Sequence, residues 1–202
     1  MFNGLIREIA KVRFYQDNIL SLKANYRPHL GDSLAVNGAC LSVVNIDKEG
    51  FKVELSKETR KHIVIENLKN EVHIEPALRY GDRIDGHLMQ GHIDFIGVLE
   101  NIKKEENGID FFISLPKMAM PFMAQKGSIG VDGVSLTINE VMHNGIRLTI
   151  IPITFKETLF KKYQIGRKIN IESDLFARYI YTQLKNKQGL SWEDIDRISY
   201  LY

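Results

Sequence analysis

Eight residues, VNGACLSV at positions 36–43, recur 95 positions later as VDGVSLTI. Every matched pair is identical or physically similar. The neighbouring segments repeat in the same order, with FKVEL at 51–55 matching IRLTI, VHIE at 72–75 matching INIE, and GLI at 4–6 matching GHI. These ordered matches indicate an internal duplication of a unit of about 90 residues, so the chain carries two copies of one module rather than a long repeat array.

Both copies have the pattern of β-strands. Apolar and polar residues alternate in FKVEL and in IRLTI, as in a strand with one buried face. Turn pairs such as Asn–Gly at 37–38 and Gly–Asp at 81–82 recur at short spacing, and these residues tolerate the positive φ of tight hairpins. Short strands at this spacing predict an all-β barrel or sandwich in each copy.

The composition excludes several classes of protein. The 202 residues include 27 basic and 25 acidic side chains, a balance without the basic footprint of a nucleic-acid-binding domain. Cys40 is the single cysteine, so no intramolecular disulfide can form. No apolar run reaches the roughly 18 to 20 residues of a membrane span, and the N-terminus does not read as a signal peptide. We therefore expect a cytoplasmic protein with no nucleic-acid or membrane partner.

The C-terminal tail has no counterpart in the first copy. Residues 175–185 have the apolar periodicity of an amphipathic helix, which Gly189 would end before a second short helix beginning at 191–194. The apolar face comprises Leu175, Phe176, Tyr179, Ile180 and Leu184. Two interpretations stay open: the helix is an oligomer contact, or it packs on its own chain.

The segment that joins the copies, YGDRIDGHLMQGHID at 80–94, holds two histidines. His87 and His92 are five residues apart, so they share no helical face and would point to opposite sides of a strand. Together with Cys40 they form a conceivable zinc set, but no paired Cys or His spacing supports one. We expect no metal.

Here the chain resembles the riboflavin synthase family. The resemblance rests on MFNGLI at 1–6, VNGACLSV at 36–43, LSKET at 55–59 and GHLMQGHID at 86–94, and on KGSIGVDGVSLT and NIESDLFARY in the second copy. It implies two tandem six-stranded Greek-key barrels, residues 1–86 and 87–175, each a lumazine-binding domain. A C-terminal helical trimerisation segment would occupy residues 176–202.

The resemblance also implies a reaction. Two molecules of 6,7-dimethyl-8-ribityllumazine would bind face to face, one in the N-terminal barrel of one subunit and one in the C-terminal barrel of its neighbour. A four-carbon unit would pass between them, giving riboflavin and 5-amino-6-ribitylamino-uracil. The family implies a homotrimer without metal or organic cofactor, and it leaves open an association with lumazine synthase. Holding the two rings in register would supply much of the rate enhancement.

Three residues are implied to be catalytic: Phe2, Cys40 and His92. Phe2 would pack its ring on the flat substrates, although an aromatic side chain at a terminus can simply be packed or frayed. Cys40 would handle a proton, or it is a small buried hydrophobe. His92 would be the acid–base group, because histidine is the side chain suited to proton transfer at neutral pH, or it is a core histidine.

The resemblance implies substrate-binding residues in both halves. In the first they are Gly4, Leu5, Ile6, Cys40, Leu41, Ser42, Glu54, Ser56, Lys57, Glu58 and Thr59. In the second they are Gly91, His92, Ile93, Lys126, Val134, Ser135, Leu136, Thr137, Ile151, Pro152 and Thr154. Hydroxyls can bond the ribityl chain, but Ser and Thr in strands often face solvent, and Lys126 or Glu58 can be a solvated charge.

The copies differ where donor and acceptor roles would differ. Cys40 matches Ser135, and His92 matches Leu5. Three residues depart from the family pattern: Asn3 stands where Thr is usual, Asp85 where Gly is usual, and Ile153 where Glu is common. The last removes a carboxylate from the second site.

Two other classes of protein compete with this interpretation. A non-catalytic lumazine or flavin carrier would keep the pockets without the reactive residues, so the joint presence of Phe2, Cys40 and His92 favours the enzyme. A flavin reductase barrel would need an adjoining nicotinamide-binding domain with a glycine-rich turn, and the chain has neither that turn nor the length for it.

Overall fold

The first half of the chain forms six antiparallel strands that close into a barrel in the order β1-β2-β5-β4-β3-β6. The computed structural model describes residues 1–186. The strands are β1 (Glu8–Gln16), β2 (Ile19–Lys23), β3 (Ser33–Val36), β4 (Ala39–Ile46), β5 (Gly50–Glu54) and β6 (Glu71–Pro76). Helix α1 (Lys57–His62) and a 3₁₀ turn (Ile65–Asn67) join β5 to β6. The predicted Greek-key barrel is confirmed.

The second half repeats this topology with seven strands. They are β7 (Phe95–Glu105), β8 (Gly108–Ser114), β9 (Ser128–Val131), β10 (Val134–Thr137), β11 (Glu140–Met142), β12 (Gly145–Ile150) and β13 (Lys168–Ser173). The order is β10-β9-β13-β7-β8-β12-β11. Helix α2 (Pro152–Glu157) stands where α1 stands in the first half, and 3₁₀ turns cover Lys117–Phe122 and Leu159–Lys162.

The extra strand arises because the equivalent of β4 is broken into β10 and β11. At the break, the side-chain Oδ1 of Asn139 accepts the N–H of Thr149 at 2.6 Å, in place of a backbone carbonyl. The N–H of Ile138 turns to the carbonyl of Gly127 instead. In the first barrel the equivalent position is a β-bulge at Val44, and β4 continues beyond it without interruption. The second sheet therefore curls toward a barrel, but its backbone hydrogen bonds are interrupted between β10 and β11. It has seven strands, whereas six were predicted.

The two barrels meet at their β3–β4 and β9–β10 hairpins. Both hairpins turn through two residues with positive φ, Asn37-Gly38 in the first and Asp132-Gly133 in the second. A Cβ on Gly38 would lie 2.7 Å from the backbone nitrogen of Gly133, so only glycine permits the contact. The duplication thus places equivalent turns against each other. The domain limits 1–86 and 87–175 stay a prediction.

Helix α3 (Leu175–Asn186) follows the second barrel. Its first turn is capped by Asp174, whose Oδ1 accepts the N–H of Phe176 at 2.8 Å. Tyr181 packs against Phe122 with ring centroids 4.8 Å apart. Phe176, Tyr179, Ile180 and Leu184 are exposed. The predicted helix is confirmed, while its predicted end at Gly189 and the second helix from 191 lie outside the described residues.

Among the helices of residues 1–186, none is long and apolar enough to cross a membrane.

Candidate active site

A cavity of about 300 Å³ opens at the end of the first barrel. Six of the predicted site residues meet in its wall: Cys40, Glu58, Thr59, Gly91, His92 and Ile93. Ala39, His62 and Ile63 complete the lining. Residues more than 50 positions apart in the sequence therefore form one pocket that combines a thiol, an imidazole, a carboxylate and a hydroxyl.

Gly91 brings the joining segment against the first barrel. Its carbonyl accepts the backbone N–H of Cys40 at 2.8 Å. Its φ is +75°, and a Cβ at this position would lie 2.6 Å from the Cβ of Cys40. The close approach and the left-handed backbone both require glycine. This contact sets His92 and Ile93 into the cavity wall.

The same arrangement recurs in the second half. The carbonyl of Gly4 accepts the N–H of Ser135 at 2.9 Å. Gly4 has φ +79°, and a Cβ there would lie 2.5 Å from the Cβ of Ser135. Each half-site is therefore completed by the segment that precedes the other barrel. We call the Cys40–Gly91 assembly the first half-site and the Ser135–Gly4 assembly the second half-site.

Two buried carboxylates hold the segments that complete the half-sites, which we call the exchanged segments: the one around Gly4 and the one around Gly91. Glu75 on β6 accepts the N–H groups of Asn3, at 2.8 Å, and Gly4. Glu172 on β13 accepts those of Gln90, at 2.7 Å, and Gly91, at 3.0 Å. Burial raises the pKa of each carboxyl to about 7, against the opposing effect of the backbone donors. The sequence match between VHIE and INIE contained both residues, but their role depends on contacts more than 70 positions away.

Helix α1 supplies the polar rim of the first half-site. Its N-cap, Ser56, accepts the N–H of Thr59 at 3.0 Å. Glu58 pairs with Lys61 and His62, each at 2.9 Å. The hydrogen bond from Lys61 has the largest effect on Glu58 and that from His62 the next largest, and both lower the pKa of the carboxyl. The rim therefore carries an anion at neutral pH. Sequence reasoning missed His62, although its spacing four residues after Glu58 on a helix is a usable signal.

The second half-site contains His87, which is not among the site residues that the resemblance implies. His87 is 9% exposed, and its Nδ1 lies 2.7 Å from Oγ of Ser135. Burial lowers the pKa of this imidazole, so it stays neutral at physiological pH. The first half-site has Cys40 and His92 where the second has Ser135 and Leu5. The second therefore draws its imidazole from a different position of the joining segment.

Several predicted residues lie outside the first cavity. Phe2 is 1% exposed and packs against Ala35 and Met89. The backbones of Phe2 and Met89 also form two hydrogen bonds with each other. In the described residues its ring is thus core-packed, and a contact with substrate stays a prediction. Leu41 is buried in the first barrel.

The remaining predicted residues are distributed around both barrels. Ser42 and Glu54 are exposed cross-strand neighbours, and Lys126 stands in an exposed turn with φ +66°. Val134, Leu136 and Thr137 share strand β10 with Ser135, and Leu5 and Ile6 follow Gly4 in the N-terminal segment. Ile151 is the N-cap of helix α2, and Pro152 and Thr154 lie within it. Lys57 is exposed at the start of α1. Across residues 1–186 no three His, Cys, Asp or Glu side chains are grouped to hold a metal ion.

Solved structures share this architecture. A structure titled LumP complexed with riboflavin superposes with a TM-score of 0.76 at 20% identity, covering 86% of this chain and 99% of that one. LumP complexed with 6,7-dimethyl-8-(1'-D-ribityl) lumazine gives a TM-score of 0.70, also at 20% identity over 86% of this chain and 99% of that one. At this identity the likeness shows the fold of the duplicated barrel.

Sequence comparisons are more specific. The family model described as Lumazine binding domain matches twice, at residues 3–77 and 90–174. A riboflavin synthase of Photobacterium leiognathi is 35% identical over 92% of this chain and 89% of its own length. That of Bacillus subtilis (strain 168) is 34% identical over 90% of this chain and 88% of its own length. The chain therefore belongs to the lumazine-binding domain family, among its riboflavin synthases.

Proposed function

We propose that this chain converts two molecules of 6,7-dimethyl-8-ribityllumazine into riboflavin and 5-amino-6-ribitylamino-uracil. One bound molecule gives up a four-carbon unit, and the other accepts it. The observation that carries the proposal is the pair of equivalent but chemically different half-sites around Cys40 and Ser135. The similarity to riboflavin synthases supports an enzyme of this type.

The two half-sites fit a reaction between identical molecules. Equivalent backbone geometry at Gly91 and Gly4 lets each barrel receive the same ring. The side chains then differ, so that the two bound molecules meet different proton donors and acceptors. In the first half-site His92 and Cys40 line the cavity and are the proposed proton-handling groups. Holding both rings in fixed register converts a bimolecular encounter into a step between bound partners.

The proposed assembly is a homotrimer formed through α3. Five large hydrophobic side chains of this helix are exposed in the single chain, which supports an oligomer contact rather than a helix packed entirely on its own chain. Tyr181 packs on the aromatic ring of Phe122. In the trimer, the first half-site of one subunit would face the second half-site of its neighbour. Sedimentation of the purified protein should give three copies, and a monomer with full activity would contradict this arrangement.

The sequence also suggests the enzyme's cofactor use, its compartment and a partner. The reaction would use no metal or organic cofactor. The enzyme would be cytoplasmic, in keeping with a single cysteine in a reducing compartment. An association with lumazine synthase, the enzyme that the family context suggests, would be seen as co-sedimentation of the two purified proteins.

Turnover separates this function from that of a carrier. Purified protein is mixed with the lumazine substrate, and riboflavin is followed by its absorbance and fluorescence. We expect riboflavin to accumulate at half the rate at which lumazine disappears. Stable binding of lumazine with no riboflavin formed would assign the chain to the non-catalytic carriers instead.

A further inference from the structure

Arg178 connects helix α3 to the segment that completes the first half-site. Its Nη1 lies 3.2 Å from Oδ1 of Asp94, and its Nη2 lies 3.0 Å from Oε1 of Gln90. The same Nη2 lies 3.5 Å from Oε1 of Glu172. The guanidinium is partly buried, and Glu172 is 1% exposed. A planar fork of donors suits this set of three acceptors on different elements.

The contacts continue from Glu172 into the cavity. Glu172 accepts the N–H groups of Gln90 and Gly91. The carbonyl of Gly91 in turn accepts the N–H of Cys40. A continuous path of hydrogen bonds therefore runs from α3 to the residues beside His92. Moving the Glu172 carboxylate would move the wall of the cavity.

In the part of the chain that the structure describes, no arginine side chain donates to Glu75, the equivalent carboxylate of the second half-site. Arg178 lies in helix α3, which has no counterpart in the first copy. Within residues 1–186, the hydrogen-bond donors to Glu75 are backbone N–H groups. The link to α3 is thus specific to the half-site that holds Cys40 and His92, and it is a point at which the two halves of the chain differ.

We infer that Arg178 is a positioning residue for the first half-site: it holds the Glu172 carboxylate that fixes Gly91 and His92 beside Cys40. The geometry of the cavity then depends on α3 being docked. Where activity is the readout, the inference rests on the proposed function.

The charges around Glu172 predict how the effect of losing Arg178 depends on pH. Burial raises the pKa of Glu172 to about 7, while the donors of the Gln90 segment and then Arg178 lower it. The paired strand β9 contributes Gly130 and no titratable group, and Asp94 contacts the other arm of the guanidinium. Loss of Arg178 therefore raises the pKa of Glu172 further. The carboxyl becomes protonated near neutral pH and accepts the N–H groups of Gln90 and Gly91 less strongly.

The test compares Arg178→Met and Arg178→Lys with a matched control, Arg147→Met. Arg147 also pairs with a largely buried carboxylate, Asp110, but on strands away from the cavity. The measurements are kcat between pH 6 and 9 and amide hydrogen exchange at Gln90 and Gly91. For Arg178→Met we expect kcat at pH 7 to fall about tenfold, the equivalent of one charge-assisted hydrogen bond. The acid limb should move to higher pH, and both amides should exchange faster.

The other variants test whether Arg178 acts through the charge of Glu172. Arg178→Lys keeps the charge and should restore the position of the acid limb, and Arg147→Met should change neither the limb nor the two amides. An equal loss of kcat at every pH, or unchanged exchange at Gly91, would overturn the inference. Should Arg178→Met not fold, Arg178→Gln must show the shifted limb. Should the wild type form no riboflavin, the proposed function fails, while exchange at Gly91 still tests Arg178.

Discussion

His73 and Asn170 make the same pair of hydrogen bonds across the junction of the barrels. Nδ1 of His73 lies 2.9 Å from the carbonyl of Asp132, and its Nε2 accepts the N–H of Leu159 at 2.8 Å. Asn170 donates to the carbonyl of Asn37 at 3.0 Å and accepts the N–H of Val64 at 2.7 Å. Because Nε2 accepts, His73 must be the neutral tautomer with its proton on Nδ1. A neutral imidazole in one copy thus does what an amide does in the other.

Replacing His73 with Asn should remove an acid-sensitive step in unfolding. Burial lowers the pKa of His73 to about 4 from 6.5, so its contribution to stability is complete above pH 6.5 and is lost as the pH falls toward 4. The loss is about 3 kcal/mol at pH 4 on the basis of 1.36 kcal/mol per pKa unit. Urea unfolding between pH 4 and 7.5 measures it. The wild type should lose this much more stability than His73→Asn, in which the buried carboxyls titrate as before; parallel pH curves for the two proteins would contradict the assignment.

Gly91→Ala should damage the first half-site beyond the cost of its backbone conformation. Both Gly91 and Gly31 have positive φ, but only at Gly91 would a Cβ collide with Cys40, since nothing lies within 4 Å of a Cβ at Gly31. Gly31→Ala should therefore cost about 1 to 2 kcal/mol of stability and leave activity unchanged. Gly91→Ala should cost more and reduce lumazine turnover by at least about tenfold, because a displaced wall misplaces the reacting groups. Equal turnover in the two variants would count against the exchanged-segment geometry.

His92→Leu should separate activity from stability. The side chain of His92 is exposed at the cavity, so its loss should change the free energy of unfolding by no more than about 0.5 kcal/mol. Loss of a general acid–base group should lower kcat by about a hundredfold or more. His143→Leu, in the exposed turn between β11 and β12, is the control and should leave kcat unchanged. A His92→Leu variant with normal kcat would remove His92 from the mechanism.

Ser135→Ala should destabilise the second half-site through its buried histidine. The substitution leaves Nδ1 of His87, a largely buried side chain, without its partner, which costs about 1 to 3 kcal/mol. Cys40→Ala at the equivalent position breaks no bond to a buried histidine and should cost about 1 kcal/mol or less. Thermal unfolding of both variants makes the comparison. The reverse ranking would show that the contact between His87 and Ser135 does not matter.

The duplication made most of the fold predictable. The match of Cys40 with Ser135 identified equivalent turns, strands and half-sites before any contact was known, because side-chain periodicity and turn residues are local properties. The broken strand at Asn139 was not foreseen, since it depends on one side chain replacing a backbone acceptor.

The site residues were predictable only where they lie within the family's sequence motifs. Cys40, Gly91 and His92 were each predicted as site residues through the resemblance, and one cavity contains all three. The pairing of His87 with Ser135 and the role of Glu172 were missed, because both depend on contacts across the two halves that no local pattern encodes. Phe2 illustrates the converse, since its position in the motif gives no information on how deeply the ring is buried.

The central claim is that each chain offers two unlike pockets for the same molecule. Equilibrium calorimetry with a lumazine analogue whose ring methyl cannot lose a proton tests it directly. The account predicts two molecules bound per chain, with His92→Leu weakening one class of site and leaving the other unchanged. One molecule bound per chain, or both classes weakened alike by His92→Leu, would contradict it.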